Sequence, residues 1–90
     1  PKTLTADQII QKEGLRLGKY WTDELANKLV NVYGYLPPSS RILNFRLSML
    51  YMYRRNDKNN SLSAPLHIVL VSNIPANPPS WYIKEAYSPD

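Results

Sequence analysis

Ninety residues, 43% of them hydrophobic, suffice for one small domain with a modest core and not for two. The chain has no cysteine, which excludes a disulfide framework and a thiolate metal centre and leaves packing to hold the fold; such a domain suits an intracellular setting, cytoplasmic or nuclear, better than a secreted one. The net charge of +4 is concentrated, with ten Lys and Arg against five Asp and Glu in residues 1–60 and one against two in residues 61–90, so the basic character belongs to the predicted helical part; an excess of this modest size suits phosphate or an acidic partner, and many small basic proteins bind neither.

The first element has a well-specified start. In Leu4-Thr5-Ala6-Asp7-Gln8-Ile9, Thr5 stands at an N-cap with Gln8 at capping-box spacing, and Leu4 and Ile9 are placed for a hydrophobic staple. A helix is predicted over 5–13, with Gly14 as its stop. Leu15 to Tyr20 reads as a short extended piece or as a continuation of that helix. A second helix is predicted over 22–33. Thr22 caps it, Asp23 and Glu24 put negative charge at the positive end of its dipole, and Gly34 closes it. Pro37 and Pro38 cannot continue it and make the connector rigid.

Residues 40–55 are predicted to form a third helix, capped by Ser39 or Ser40. At about 100° per residue, Arg41, Asn44, Ser48, Tyr51 and Arg55 fall within an arc of about 80°, and the remaining circumference is mostly apolar. Arg46 lies on the apolar side of this wheel, where a guanidinium requires a carboxylate such as Asp23 or Glu24, a snorkelling path, or a subunit contact. Asn56 to Ser63 reads as a solvated polar loop. Strands are predicted over 66–72 and 81–87, separated by the three-proline stretch from Asn73 to Ser80. No apolar run reaches membrane-spanning length and no secretory leader pattern is present, so no membrane contact is expected.

The expected fold is α+β, a small three-helix domain with a C-terminal β-hairpin, occupying residues 1–90 as one unit. With Glu24-Leu25-Ala26, Leu29 and Gly34 in the second helix and Ser39-Ser40-Arg41-Ile42 through Leu47 in the third, the chain resembles the winged helix-turn-helix superfamily. That resemblance is architectural and spans most of the chain. It implies a DNA-binding domain that recognises duplex DNA through the third helix, in transcription regulation or in replication or partition, as a homodimer on a symmetric site. Arg41 and Asn44 would then contact bases, and Ser39 and Ser40 would hold phosphate at the helix N-terminus. Ser48 and Tyr51 would extend the stripe, while Lys28, Arg54, Arg55 and Lys58 would contact phosphates. Capping explains the two serines as readily, and the helix dipole explains the cations at the C-terminal end.

Catalysis is not expected. His67 is the single histidine and the three glycines, Gly14, Gly18 and Gly34, are isolated, so no metal centre, nucleophile–base pair or cofactor loop can be assembled. The Tyr20-Trp21 and Trp81-Tyr82 pairs can fill a core or stack on single-stranded nucleic acid. Residues 73–80, the wing of the resemblance, contain no Lys or Arg. That neutrality supports an alternative, a protein–protein interaction domain of a larger assembly that uses the proline-rich loop and the Trp81-Tyr82 edge.

Overall fold

The computed structural model describes residues 4–56 and 61–88. Helices α1 (Ala6–Glu13) and α2 (Asp23–Asn31) precede strands β1 (Ser39–Asn44), β2 (Leu47–Asn56), β3 (Ser61–Ser72) and β4 (Trp81–Tyr87). The strands form one antiparallel sheet in the sequential order β1-β2-β3-β4.

Local signals fix both helices. Thr5 Oγ1 accepts from the Gln8 N–H at 3.2 Å, and Gln8 Oε1 accepts from the Thr5 N–H at 2.8 Å, closing a capping box. Gly14 ends α1 in the left-handed region, at φ 63°, where a Cβ would be strained. Thr22 Oγ1 caps α2 through the Leu25 N–H at 3.1 Å. Past Asn31, the Gly34 N–H donates to the Val30 carbonyl and the Tyr35 N–H to that of Leu29, so the last turn keeps its carbonyls satisfied.

The third helix does not form. Residues 39–55 make the β1–β2 hairpin, so the three-helix domain with a C-terminal hairpin is replaced by two short helices and a four-stranded antiparallel sheet. The reason is a burial period of two. Ser48, Leu50 and Met52 are buried, while Met49 and Tyr51 between them are half-exposed, an alternation that a helical wheel spreads around its circumference. Leu, Met and Arg favour helix, but only by tenths of a kcal/mol per residue, and pairing on both sides of β2 overrides them. No glycine marks the turn at Phe45-Arg46. Asn44 forms it instead, its Oδ1 accepting from the Arg46 N–H at 2.8 Å. Ser72 braces it, with its N–H on the Arg46 carbonyl at 2.9 Å and its Oγ on that of Phe45 at 3.1 Å. Arg46 is exposed at this turn and needs no buried carboxylate.

β3 begins at Ser61, so part of the stretch expected as a polar loop is paired, with Arg55 opposite Leu62 and Asn56 opposite Ser61. Residues directly opposite one another across strands share a sheet face. On one face Leu50, Met52, Leu66, Ile68, Leu70 and Ile83 are buried, and they join Ile9, Leu15, Leu25 and Leu29 in the core. α1 lies against β3 and β4 on this side. The other face carries the cross-strand rows Ser39, Tyr51, His67, Tyr87 and Arg41, Met49, Val69, Glu85, all of them half-buried or exposed.

Candidate functional site

The two edges of the sheet differ. The outer edge of β4 is covered by the segment before α2: the Gly18 N–H donates to the Ile83 carbonyl at 2.9 Å, the Ile83 N–H to that of Lys19 at 2.7 Å, and the Trp21 N–H to that of Trp81 at 3.0 Å. Trp81 packs against the core and the Tyr82 hydroxyl donates to that of Tyr20 at 3.1 Å. The Trp81-Tyr82 edge expected as a contact surface is therefore occupied by the chain itself. The far end of β2 is covered too, where the Leu36 N–H meets the Tyr53 carbonyl at 2.7 Å. β1 is different. All six of its residues are exposed, and β2 is its one strand neighbour among the described residues.

Side chains around this open edge are apolar and cationic. Ile42 lies opposite Ser48, on the helix side of the sheet, yet it is 70% exposed because the core layer ends at β2. Leu43, in the irregular register between Ile42 and Asn44, is 42% exposed, and Phe45 at the turn is 73% exposed. Covering an aliphatic or aromatic side chain of this size yields about 1.5–3 kcal/mol, so three neighbouring ones make a substantial unused driving force. Residues 34–56 contain four arginines and no Asp or Glu. Arg54 is engaged, its guanidinium donating to the Leu4 carbonyl. Arg41 and Arg46 are exposed, and neither guanidinium has a hydrogen-bond or ion-pair partner among the described residues.

The residues expected to contact nucleic acid do not share one stripe. Ser39, Arg41 and Asn44 lie on the open face of β1 and Ser40 on its helix side. Ser48 is buried, and Tyr51 is half-buried with its hydroxyl on the Met49 sulfur at 3.5 Å. Arg55 belongs to β2 by its backbone, and Lys58 lies outside the described residues. Lys28 is on α2, ion-paired with Glu13 at 3.3 Å. Sequence reasoning missed Ile42, Leu43 and Phe45, which it assigned to a buried helical surface. The available signal was Asn44 two residues before Arg46, the pattern of an Asx turn.

A second cluster surrounds Glu13. Its carboxylate accepts from the Tyr33 hydroxyl and pairs with Lys28, while its backbone carbonyl accepts from Lys19 Nζ at 2.6 Å. Beside it a cavity of about 440 Å³ is lined by Gly18, Lys19, Tyr20, Thr22, Glu24, Leu25 and Lys28. Lys28 there is ion-paired with the Glu13 carboxylate, the Lys19 ammonium is held by the Glu13 carbonyl, and Glu24 adds a carboxylate to the wall. The Tyr33 hydrogen bond, with help from Lys28, lowers the Glu13 pKa from its ordinary 4.5. The same bond, with burial, pushes the Tyr33 phenol up to about 12 from 10. A lowered carboxylate contributes stability above pH 4.5 that is lost as the pH falls through the lower folded value. A raised phenol contributes stability up to pH 10 that is lost between pH 10 and about 12. Tyr33→Phe should therefore cost about 1.5–3 kcal/mol near neutrality, the range for a hydrogen bond to a charged group, and should flatten both limbs of the stability–pH curve. Denaturant melts at acid, neutral and alkaline pH check this; parallel curves for variant and wild type would refute the coupling.

On the open face, the His67 ring sits edge-on to Tyr51, centroids 4.7 Å apart at 84°, and tilted against Tyr87 at 5.0 Å. Its Nδ1 is buried without a hydrogen-bond partner among the described residues. No group of three His, Cys, Asp or Glu side chains placed to hold a metal occurs among the described residues, and no helix among them is long and apolar enough to cross a membrane. The chain matches no family model, no curated protein and no solved structure.

Proposed function

We propose that the chain is a protein-interaction domain that accepts an extended segment of its partner as a fifth strand on β1. The observation that carries this reading is the asymmetry of the sheet: the β4 edge is sealed by Gly18 to Trp21, while β1 is exposed along its whole length. An edge strand offers unpaired N–H and C=O groups to any extended chain, and soluble proteins blunt such edges with lysine, proline or inward-pointing charge. β1, Ser39–Asn44, contains neither lysine nor proline, and its inward position Ile42 is apolar. The irregularity at Leu43 leaves Ser39 to Ile42 as the regular run available for pairing.

Selection of binders from a random nonapeptide display library, followed by amide shift mapping with the best binder, tests this. Shifts should concentrate on residues 39–44. The double variant Ile42→Ser/Phe45→Ser should weaken the selected peptide about tenfold or more, as loss of two apolar anchors implies. It should leave Tm nearly unchanged, since neither side chain is in the core. Shifts centred on residues 73–80 or on the Tyr51, His67, Tyr87 row would refute edge docking.

Duplex DNA is a second reading, now through a two-stranded ribbon rather than a helix. Arg41 and Asn44 share the open face of β1, and a two-stranded ribbon can enter a major groove. The exposed Ile42, Leu43 and Phe45 favour the protein partner, because phosphate-lined grooves give three large apolar side chains little to bury against. Titration of mixed-sequence duplex at two salt concentrations separates the readings, since phosphate contacts must weaken steeply with salt.

A further inference from the structure

We infer that the segment received by β1 is acidic, an extended stretch in which carboxylates alternate with apolar residues; this rests on the edge-docking reading above. The alternation follows from the register. A strand added beside β1 places successive side chains on opposite faces of the sheet. On the open face they would lie beside Arg41, and on the helix side beside Ile42, where the core layer stops at Ser48 and Leu50. One face therefore rewards negative charge and the other rewards apolar surface.

The charge sign is set by the whole hairpin. Residues 34–56 carry arginines and no carboxylate, and the Arg41 and Arg46 guanidinium groups are exposed and unpaired among the described residues. A second copy of the same edge is a poor occupant, because pairing β1 with itself gathers four of these exposed guanidinium groups with no carboxylate from either hairpin. Like charges directly opposite one another destabilise strand pairing, whereas opposite charges support it.

Three fluorescein-labelled nonapeptides test the inference on the full chain. One alternates glutamate with valine and phenylalanine, one has lysine at every glutamate position, and one keeps the first composition with its glutamates gathered at one end. The alternating acidic peptide should bind about tenfold or more tighter than either control by anisotropy. Its affinity should fall between 0.1 M and 1 M salt as the screening length shrinks from about 10 Å to about 3 Å. Arg41→Glu/Arg46→Glu, two exposed positions whose change should leave the circular dichroism spectrum intact, should reverse the preference toward the lysine peptide. Equal binding of the acidic and lysine peptides with amide shifts on residues 39–44 would overturn the acidic partner and leave edge docking standing. Absence of binding by all three peptides, with or without partition of the protein onto phosphatidylserine vesicles, would overturn the acidic strand. A peptide-free dimer that protects the β1 amides would make a second copy the occupant and overturn it as well.

Discussion

Ile68→Ala is expected to destabilise the domain by about 2–5 kcal/mol, the range for truncating a fully buried aliphatic side chain. Ile68 is fully buried, and it sits on β3 between Leu50 of β2 and Ala86 of β4, on the face that meets the helices. Its removal leaves a cavity bounded by two neighbouring strands and the helical layer, with little freedom to collapse. A small domain has only about 5–15 kcal/mol of net stability, and for a chain of this size the loss corresponds to a fall in Tm of about 10 °C or more. Val69→Ala is the internal control. Val69 lies on the open face opposite Met49 and Glu85 and is only half-buried, so its truncation should cost about 1 kcal/mol or less. Denaturant melts of the two variants decide the assignment of faces; equal losses would show that the burial alternation along β3 is misassigned.

The second large effect is in hydrogen exchange. From His67 to Ser72, β3 is paired with β2 on one side and β4 on the other, and Ile68 and Leu70 lie in the core, so the amides of this stretch should exchange only through global opening. Alternate amides of β1 face outward with no strand beyond them among the described residues and should exchange nearly freely. With about 5 kcal/mol of global stability as a minimum and a factor of ten for each 1.4 kcal/mol, the β3 amides should be slower by a factor on the order of 10³ or more. Mass spectrometry after a time course of deuteration measures this directly. A β1 as protected as β3 in the isolated chain at low concentration would mean that the edge is already covered, contrary to the structure.

The exchange measurement on β1 addresses the part of the molecule that the amino-acid pattern describes least well. Both helices are legible because their signals are local: Thr5 with Gln8, Thr22 with Asp23 and Glu24, and the glycines that follow each helix report backbone needs within one turn. The run from Leu66 to Ser72 and the run from Trp81 to Tyr87 are legible because β-branched and aromatic residues sit between proline-rich stretches. Residues 39–55 are not, because their structure depends on what lies on either side of β2. A strand flanked by β1 and β3 can carry apolar side chains on both faces, and Leu47, Met49 and Leu50 then look like helix-forming residues on a broad apolar arc. The cations at Arg41, Arg46, Arg54 and Arg55 are visible in the chain, but their setting is not. A helical wheel places Arg46 in the interior, whereas a two-residue turn lifts it clear of the sheet. The apolar edge built by Ile42, Leu43 and Phe45 is hidden by the same error, since an apolar residue gives no indication by itself of whether anything covers it.

Tyr20 and Tyr82 are 62 positions apart, and the backbone bonds flanking them join the segment before α2 to the last strand. Within the sheet, by contrast, every strand pairs with its neighbour in the chain. Assembly should therefore have two regimes: a quick zipping of adjacent strands, followed by a slower loop closure that brings the early segment onto β4. During synthesis the segment from Gly18 to Trp21 emerges long before its acceptor does, and the growing meander has an unsealed margin on both sides until β4 is complete. The closure protects only one margin. Self-association of partly made chains should consequently be most severe before the last strand emerges, and the partner of β1 would serve the finished domain as the second seal.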